Sequence, residues 1–497
     1  MKKYIHFLIF FLLIAATGCK DYLDVNTNPN APTVTVPGPV LAGALVASAS
    51  IYAGGLDPAM YWAGMVQSSG TYASAGNVRF NFNLTTGNYS GQWASLYLNA
   101  SNYNFVQNAA TATKGGDNMA AIARIMKVWC FQQLVDVYNN VPYTEALNGS
   151  TIYQPQYDDA KAIYKSLSLE LDDVVKSINS RSGATAVSPT ADVMFGGDMA
   201  MWVKFANTLN LRLLIHQTNV AGQDAFIKSE IAGILANGGG FLTADALINP
   251  GYAKTTNNQN PFWENNGLGV GGDIGGRDFH RCSDYALKYF TSRNDPRRDM
   301  LFRQIGNTPG DNSGSTGYLG IPFGSPALTQ FSSSKTSAFG VGVMGSPSQA
   351  VNFFPAAQSY FLQAEAAQRG YLTGDAQTLF KSGITASFSY LGLTAAQATT
   401  YYSSGLANVD WSASPNKIQA IIGQKWAANC YIDGMEAWTD LRRTGFPSDL
   451  PQSLDPTRVN PTPPVRLLYP TAEYSNNTGA VNAQGKIDQF SSKIFWQ

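Results

Sequence analysis

Apolar residues recur at helical spacing along most of this chain, and where the spacing fails the sequence turns glycine-rich and polar for long stretches. The pattern predicts helices over residues 39–52, 58–67, 89–110, 119–137, 157–178, 202–216, 284–291, 360–370 and 375–391. It is densest over 417–447, where two helices meet at a tight corner. Ile418, Ile421, Ile422, Trp426 and Cys430 line one face of the first, with Gln419, Gln424 and Lys425 on the other. Asp433, three residues before Glu436, makes an acidic capping box that starts the second. Arg442 and Arg443 suit the negative end of its dipole, and Gly445 and Pro447 stop it. Trp438 lies one turn before Arg442, which sets a ring beside a guanidinium. The pair reads as a buried helical hairpin with a polar seam, whose residues hold a core rather than touch a ligand.

Periodicity by itself gives a mostly α fold of antiparallel helix pairs. The pairs around 360–370 and 375–391 suggest tetratricopeptide-like stacking, so a tetratricopeptide-like helical repeat scaffold with long irregular loops is expected. Glu365 precedes Arg369 by four residues, the favourable order for an ion pair on one helix. The irregular stretches are 68–87, 238–283 and 305–353. Loops of that length in a compact protein are uncommon and usually functional, so the ligand surface is expected there. Tyr72, Asn77, Arg79 and Phe80 stand in the first loop, and Phe262, Trp263 and Arg277 in the second. Rings of this kind stack on flat sugar faces, and Asn and Arg bond hydroxyls. The aromatics of 68–87 serve equally well as a loop packed on its own rings.

Composition narrows the classes. A chain of 497 residues, 44% hydrophobic, can bury a large core, and its low charge (13%) with many Tyr and Phe suits an extracellular protein. Basic and acidic residues number 33 each, and losing Lys2 and Lys3 with a leader leaves 31 against 33. With no basic run, nucleic acid is excluded as a partner.

A basic start, an apolar run from Phe7 to Ala16 and small residues before Cys19 make residues 1–18 a cleaved signal peptide. The run is too short to cross a hydrocarbon core of about 30 Å. Ala16-Thr17-Gly18-Cys19 resembles a lipobox, in which the cysteine is acylated and becomes the new N-terminus. Residues 19–38 are then a lipid-anchored tether, and 39–497 the binding domain. Cys130 and Cys430 fall in apolar helical runs, and no disulfide is expected among Cys130, Cys282 and Cys430.

Catalytic patterns are missing. Asp158/Asp159 and Asp172/Asp173 are neighbours on predicted helices, where adjacent side chains diverge, so they read as solvated charges rather than a glycosidase pair. His216 ends a helix, where a dipole contact suffices, and His280-Arg281-Cys282 lacks metal-ligand spacing. No cofactor, metal or catalytic residue is assigned.

Six or more separated segments resemble, in order, the SusD/RagB family of outer-membrane nutrient-binding lipoproteins. They are the polar start Lys20–Asn30, then Asp136–Ala146 with Asn139 where glycine is usual, Trp202–His216, Asn294–Arg298, Gln424-Lys425-Trp426 followed by Gly434–Pro447, and Arg466–Pro470. The resemblance implies a tetratricopeptide-containing lipoprotein on the cell surface, anchored in the outer membrane through Cys19. It implies a SusC-like TonB-dependent barrel as partner, over which the lipoprotein sits as a lid, and capture of a nutrient without bond making. An oligosaccharide is the expected ligand and an oligopeptide the alternative. A surface polysaccharide hydrolase is the rival class. Ligand residues are not part of the shared segments, so the seven loop residues rest on position and chemistry alone.

Overall fold

Polar side chains that accept backbone hydrogen bonds start many of the helices. Asp159 takes the N–H of Ala162 at 2.9 Å, Asp198 that of Ala200 at 2.9 Å, Asn416 that of Gln419 at 3.0 Å, and Asp433 that of Glu436 at 3.0 Å. The computed structural model describes residues 36–54, 56–72, 76–149, 151–181, 184–311, 313, 316–326 and 329–497. The signal peptide, Cys19 and all but the last residues of the tether lie outside them.

In chain order the first elements are α1 (Pro37–Gly54), a π-helical turn (Leu56–Met60), β1 (Val66–Ser68), α2 (Val78–Asn81), α3 (Ser90–Thr111), α4 (Asp117–Tyr138), α5 (Ala160–Ser180), α6 (Met199–His216) and α7 (Asp224–Ala236). The middle holds β2 (Ala246–Ile248), α8 (Pro261–Asn266), β3 (His280–Cys282), α9 (Asp284–Ser292), α10 (Arg298–Leu301), β4 (Phe302–Arg303), β5 (Ala338–Phe339) and β6 (Val351–Phe354). The chain closes with α11 (Ala356–Gln368), α12 (Ala376–Tyr390), α13 (Ala395–Tyr402), α14 (Lys417–Asn429), α15 (Gly434–Thr444), α16 (Thr471–Asn476) and α17 (Thr478–Asn482).

Residues 38–497 fold as one unit. Within it α3 packs on α4, α4 on α5 and α5 on α6, while α11 packs on α12 and α14. The result is a mostly α, tetratricopeptide-like scaffold. Helix α6 is its hub, touching α4, α5, α7, α11 and α15, and every residue from Phe205 to His216 is buried. The strands form three antiparallel ribbons, β1 with β3, β2 with β6 and β4 with β5. Among the described residues no helix is long and apolar enough to cross a membrane, and Cys130, Cys282 and Cys430 are unpaired and buried.

Around α6 the core is ionic. Lys425 reaches Glu436 at 2.5 Å and Asp440 at 3.0 Å, and Arg443 holds Glu365 at 2.6 Å and Asp440 at 2.7 Å. His216 lies between Glu436 at 3.2 Å and the Tyr164 hydroxyl at 3.1 Å, so it does far more than meet a helix dipole. The ring of Trp438 carries Arg442 at 3.5 Å, as the one-turn spacing predicts, and Arg369 pairs with Glu365 at 2.9 Å. Asn139 takes φ 67°, so the glycine-like corner persists with asparagine in it.

Three expectations change, and some helices were not foreseen. Gln424 and Lys425 do not face outward: both are fully buried, because α14 is packed by α11 and α12 as well as by α15. The helix expected over 58–67 stops early, since Gly64 at φ 78° reverses the chain and Val66–Ser68 becomes a strand. Helices α7 and α13 carry no expectation, although Thr394 and Gln397 form a capping box at the start of α13. Finally, Asp158 is structural rather than merely solvated, accepting the N–H of Tyr143 at 2.8 Å, whereas Asp172 and Asp173 form surface ion pairs with Lys176 and Arg124.

Candidate functional site

The three irregular stretches meet. Val66, Gln67 and Ser68 pair with Cys282, Arg281 and His280, which ties the first loop to the second. Ser69 N–H then bonds Phe279 O at 2.8 Å, and Gly70 N–H bonds Phe331 O at 2.7 Å, bringing in the third. Ser333 N–H to Thr71 Oγ1 at 3.1 Å and Cys282 N–H to Ser337 O at 2.9 Å complete the seam. Segments as far apart in sequence as Gly70 and Phe331 therefore share one surface, held mainly by backbone groups.

Four of the seven loop residues expected at the site keep some exposure, Tyr72, Asn77, Arg79 and Arg277. Tyr72 is exposed (41%), with its ring centroid 5.8 Å from that of Phe279. Asn77 caps α2 by accepting Arg79 N–H at 3.0 Å. Arg79 lies 5.4 Å over both Tyr61 and Phe279, and its Nε bonds Asp57 at 2.9 Å. Arg277, half-buried, donates to Glu264 O at 2.6 Å and to Glu264 Oε1 at 2.8 Å.

Phe80, Phe262 and Trp263 are buried instead, at 3%, 8% and 6% exposure. Phe80 meets Tyr61 edge-on at 5.7 Å, Phe262 meets Phe339 at 4.9 Å, and Trp263 Nε1 bonds Leu268 O at 2.9 Å. Gly267 makes room for that indole, since a Cβ there would stand 2.6 Å from it. The rings of the first loop pack on rings from elsewhere in the chain, Tyr61, Phe279 and Phe323, and Tyr72 stays exposed. The ring beside Tyr72 is that of Phe279, while Phe80 also meets Phe323.

Sequence reasoning missed His280, Arg281, Arg303 and Ser333 here, and left Phe279 out of the candidate set. Strands of two or three residues carry too little alternation to be seen, and a Phe-His-Arg-Cys-Ser run is the faint signal that was there. Burial and the nearby charge of Arg79 push the His280 imidazole down to about 3, so it is neutral and shares a hydrogen bond with Asn266 at 2.8 Å. Among the described residues no cluster of His, Cys, Asp or Glu is arranged to hold a metal ion.

A helical-repeat frame presenting one aromatic and arginine-rich loop surface defines a binding protein of tetratricopeptide-like build. The chain belongs to the SusD-like family described as "Starch-binding associating with outer membrane", whose profile matches residues 29–470. It is accordingly a nutrient-binding protein of the outer-membrane surface. Solved structures agree in fold. A SusD homologue from Bacteroides fragilis NCTC 9343 superposes with a TM-score of 0.75 at 21% identity, over 93% of this chain and 100% of that one. A SusD homologue from Bacteroides uniformis ATCC 8492 gives 0.72 at 25%, over 92% and 99%. A chitin-binding SusD homologue from Flavobacterium johnsoniae gives 0.71 at 24%, over 92% and 98%. No curated protein sequence matches the chain.

Proposed function

We propose that the three-loop surface captures an oligosaccharide, and that the chain, anchored by lipid on Cys19, delivers it to a SusC-like TonB-dependent outer-membrane barrel without making or breaking bonds. The observation that carries this reading is the convergence of loops 68–87, 238–283 and 305–353 under the exposed ring of Tyr72. Tyr72 stacks on a sugar face, Arg79, Arg277 and Asn77 bond hydroxyls at its rim, and the buried Phe80, Phe262 and Trp263 hold the loops in place. The starch-binding description of the family and the chitin-binding relative support a glycan over a peptide.

Glycoside hydrolysis needs an acid and a base facing each other across the bond. Asp57, Glu264 and Asp278, beside these loops, are each held by an arginine instead, Arg79, Arg277 and Arg281, and Asp273 lies 4.0 Å from Arg277. That supports capture over turnover.

Calorimetric titration of the full chain in detergent against neutral and charged oligosaccharides, with oligopeptides alongside, tests the reading. Saturable saccharide binding that weakens about tenfold in Tyr72→Ala, equivalent to ~1.4 kcal/mol, is expected. Binding of peptides alone, or saccharide turnover, would overturn it.

A further inference from the structure

Two buried arginines stand side by side on the strands beneath this surface, and only one of them is neutralised. Arg281, on β3, has Asp278 against it and donates to His280 O at 3.1 Å, while its Nε meets no partner. Arg303, on β4, is 6% exposed, has a buried Nη1 without a partner, and forms no ion pair among the described residues. Burial alone pushes its guanidinium down to about 10, with no carboxylate close enough to offset the cost. The two cations are near enough to repel each other, and the Tyr72 hydroxyl is near enough to Arg281 to be felt by it.

Gln67 adds to the deficit. It lies directly across the β1–β3 ribbon from Arg281, and its Nε2 is also buried without an acceptor, although its Oε1 takes Gly324 N–H at 3.3 Å. Three donor side chains, two of them charged, are thus held together with too few acceptors. Buried donors are paired almost everywhere in folded proteins, and a buried cation left unpaired is destabilising. In the core around α6 Arg443 and Lys425 each have two carboxylates, and Arg212, whose Nε lacks a hydrogen bond, still has Asp433 and Glu436 at 3.9 Å. An unmet requirement for negative charge under the ligand surface is a recognition feature.

We propose that Arg303, with Arg281 and Gln67 beside it, receives an anionic group of the ligand, so the captured nutrient is an acidic oligosaccharide bearing carboxylates or sulfates. This rests on the three-loop surface being the site of capture. The anion supplies the missing acceptor, and a guanidinium presents a fork of donors matched to carboxylate or sulfate oxygens. Tyr72 stacks on the sugar ring that carries the acid.

Titration of the full chain in detergent with tetragalacturonate, a sulfated oligosaccharide, the fully methyl-esterified tetragalacturonate, neutral chito- and malto-oligosaccharides, and hexaglutamate tests the inference. At least one acidic saccharide is expected to bind, to weaken with added salt, and to bind more than about tenfold better than its neutral counterpart. Arg303→Met is expected to weaken that binding by more than about tenfold while the melting temperature holds or rises, because the variant relieves an unpaired buried cation. A purely structural Arg303 would show the reverse, a lower melting temperature and unchanged affinity, and would overturn the inference. Equal binding of the esterified sugar would also overturn it. Tyr72-dependent binding of neutral sugars only would reject the acidic ligand and keep the capture surface, and binding of hexaglutamate alone or silence across the panel would reject both.

Discussion

The hairpin of α14 and α15 and the three-loop surface both bury arginines, yet they treat them in opposite ways. In the hairpin Arg443 meets Glu365 and Asp440, and Lys425 meets Glu436 and Asp440, so each cation is satisfied within the protein. Under the loops Arg303 meets none. In the first region these two cations are neutralised by the protein's own carboxylates. The second is completed from outside, which is what separates a scaffold from a site.

That contrast breaks most easily at Glu365. Its replacement by alanine leaves Arg443 buried with only Asp440, and about 3–5 kcal/mol of stability is expected to vanish in thermal or denaturant unfolding. Titration gives the same test without mutation. Burial alone would lift the Glu365 carboxyl, but Arg443, helped by Arg369 and Lys425, holds it from its ordinary 4.5 down to about 2. A carboxyl depressed in the folded state stabilises fully above its unfolded value and loses that contribution as pH falls through the folded one. Stability is therefore expected to fall as pH drops from about 4.5 towards 2, and Glu365→Gln is expected to flatten that slope. Unfolding curves over this range with parallel slopes for both proteins would contradict the assignment.

On the loop side the effects on folding are smaller. Gly267→Ala drives a methyl to within 2.6 Å of the Trp263 ring, so the ring must shift at a cost of about 1–3 kcal/mol, read from the melting temperature. Tyr72→Ala, at an exposed position, is expected to change stability by less than about 0.5 kcal/mol while affinity falls. A Tyr72 variant that unfolds early would move this residue from the site to the scaffold.

The two regions also differed in how far the sequence could be read. The hairpin was legible to the residue: the Asp433 cap, the Gly445 stop and the Trp438–Arg442 contact all follow from fixed spacings along one helix. What escaped there was the burial of Lys425 and Gln424, because a helix packed on both faces has no polar side and its charged residues look like surface ones until their partners are known. The loops were legible as regions. That they share a surface was expected; which groups join them was not legible, because backbone bonds such as Gly70 to Phe331 leave no mark in side-chain pattern. Aromatic content alone placed Phe80, Phe262 and Trp263 with Tyr72, and only packing separates the three that are buried from the one that faces out. Arg303 gave no signal at all, since an arginine in a strand of two residues looks like any other.

Hydrogen exchange of the full chain, with and without a saccharide that saturates it in titration, tests the division between scaffold and site most directly. The account predicts slowed exchange at residues 66–72, 279–283 and 331–337, with the 417–445 hairpin unchanged. Protection centred on the hairpin, with the loops unaffected, would contradict it.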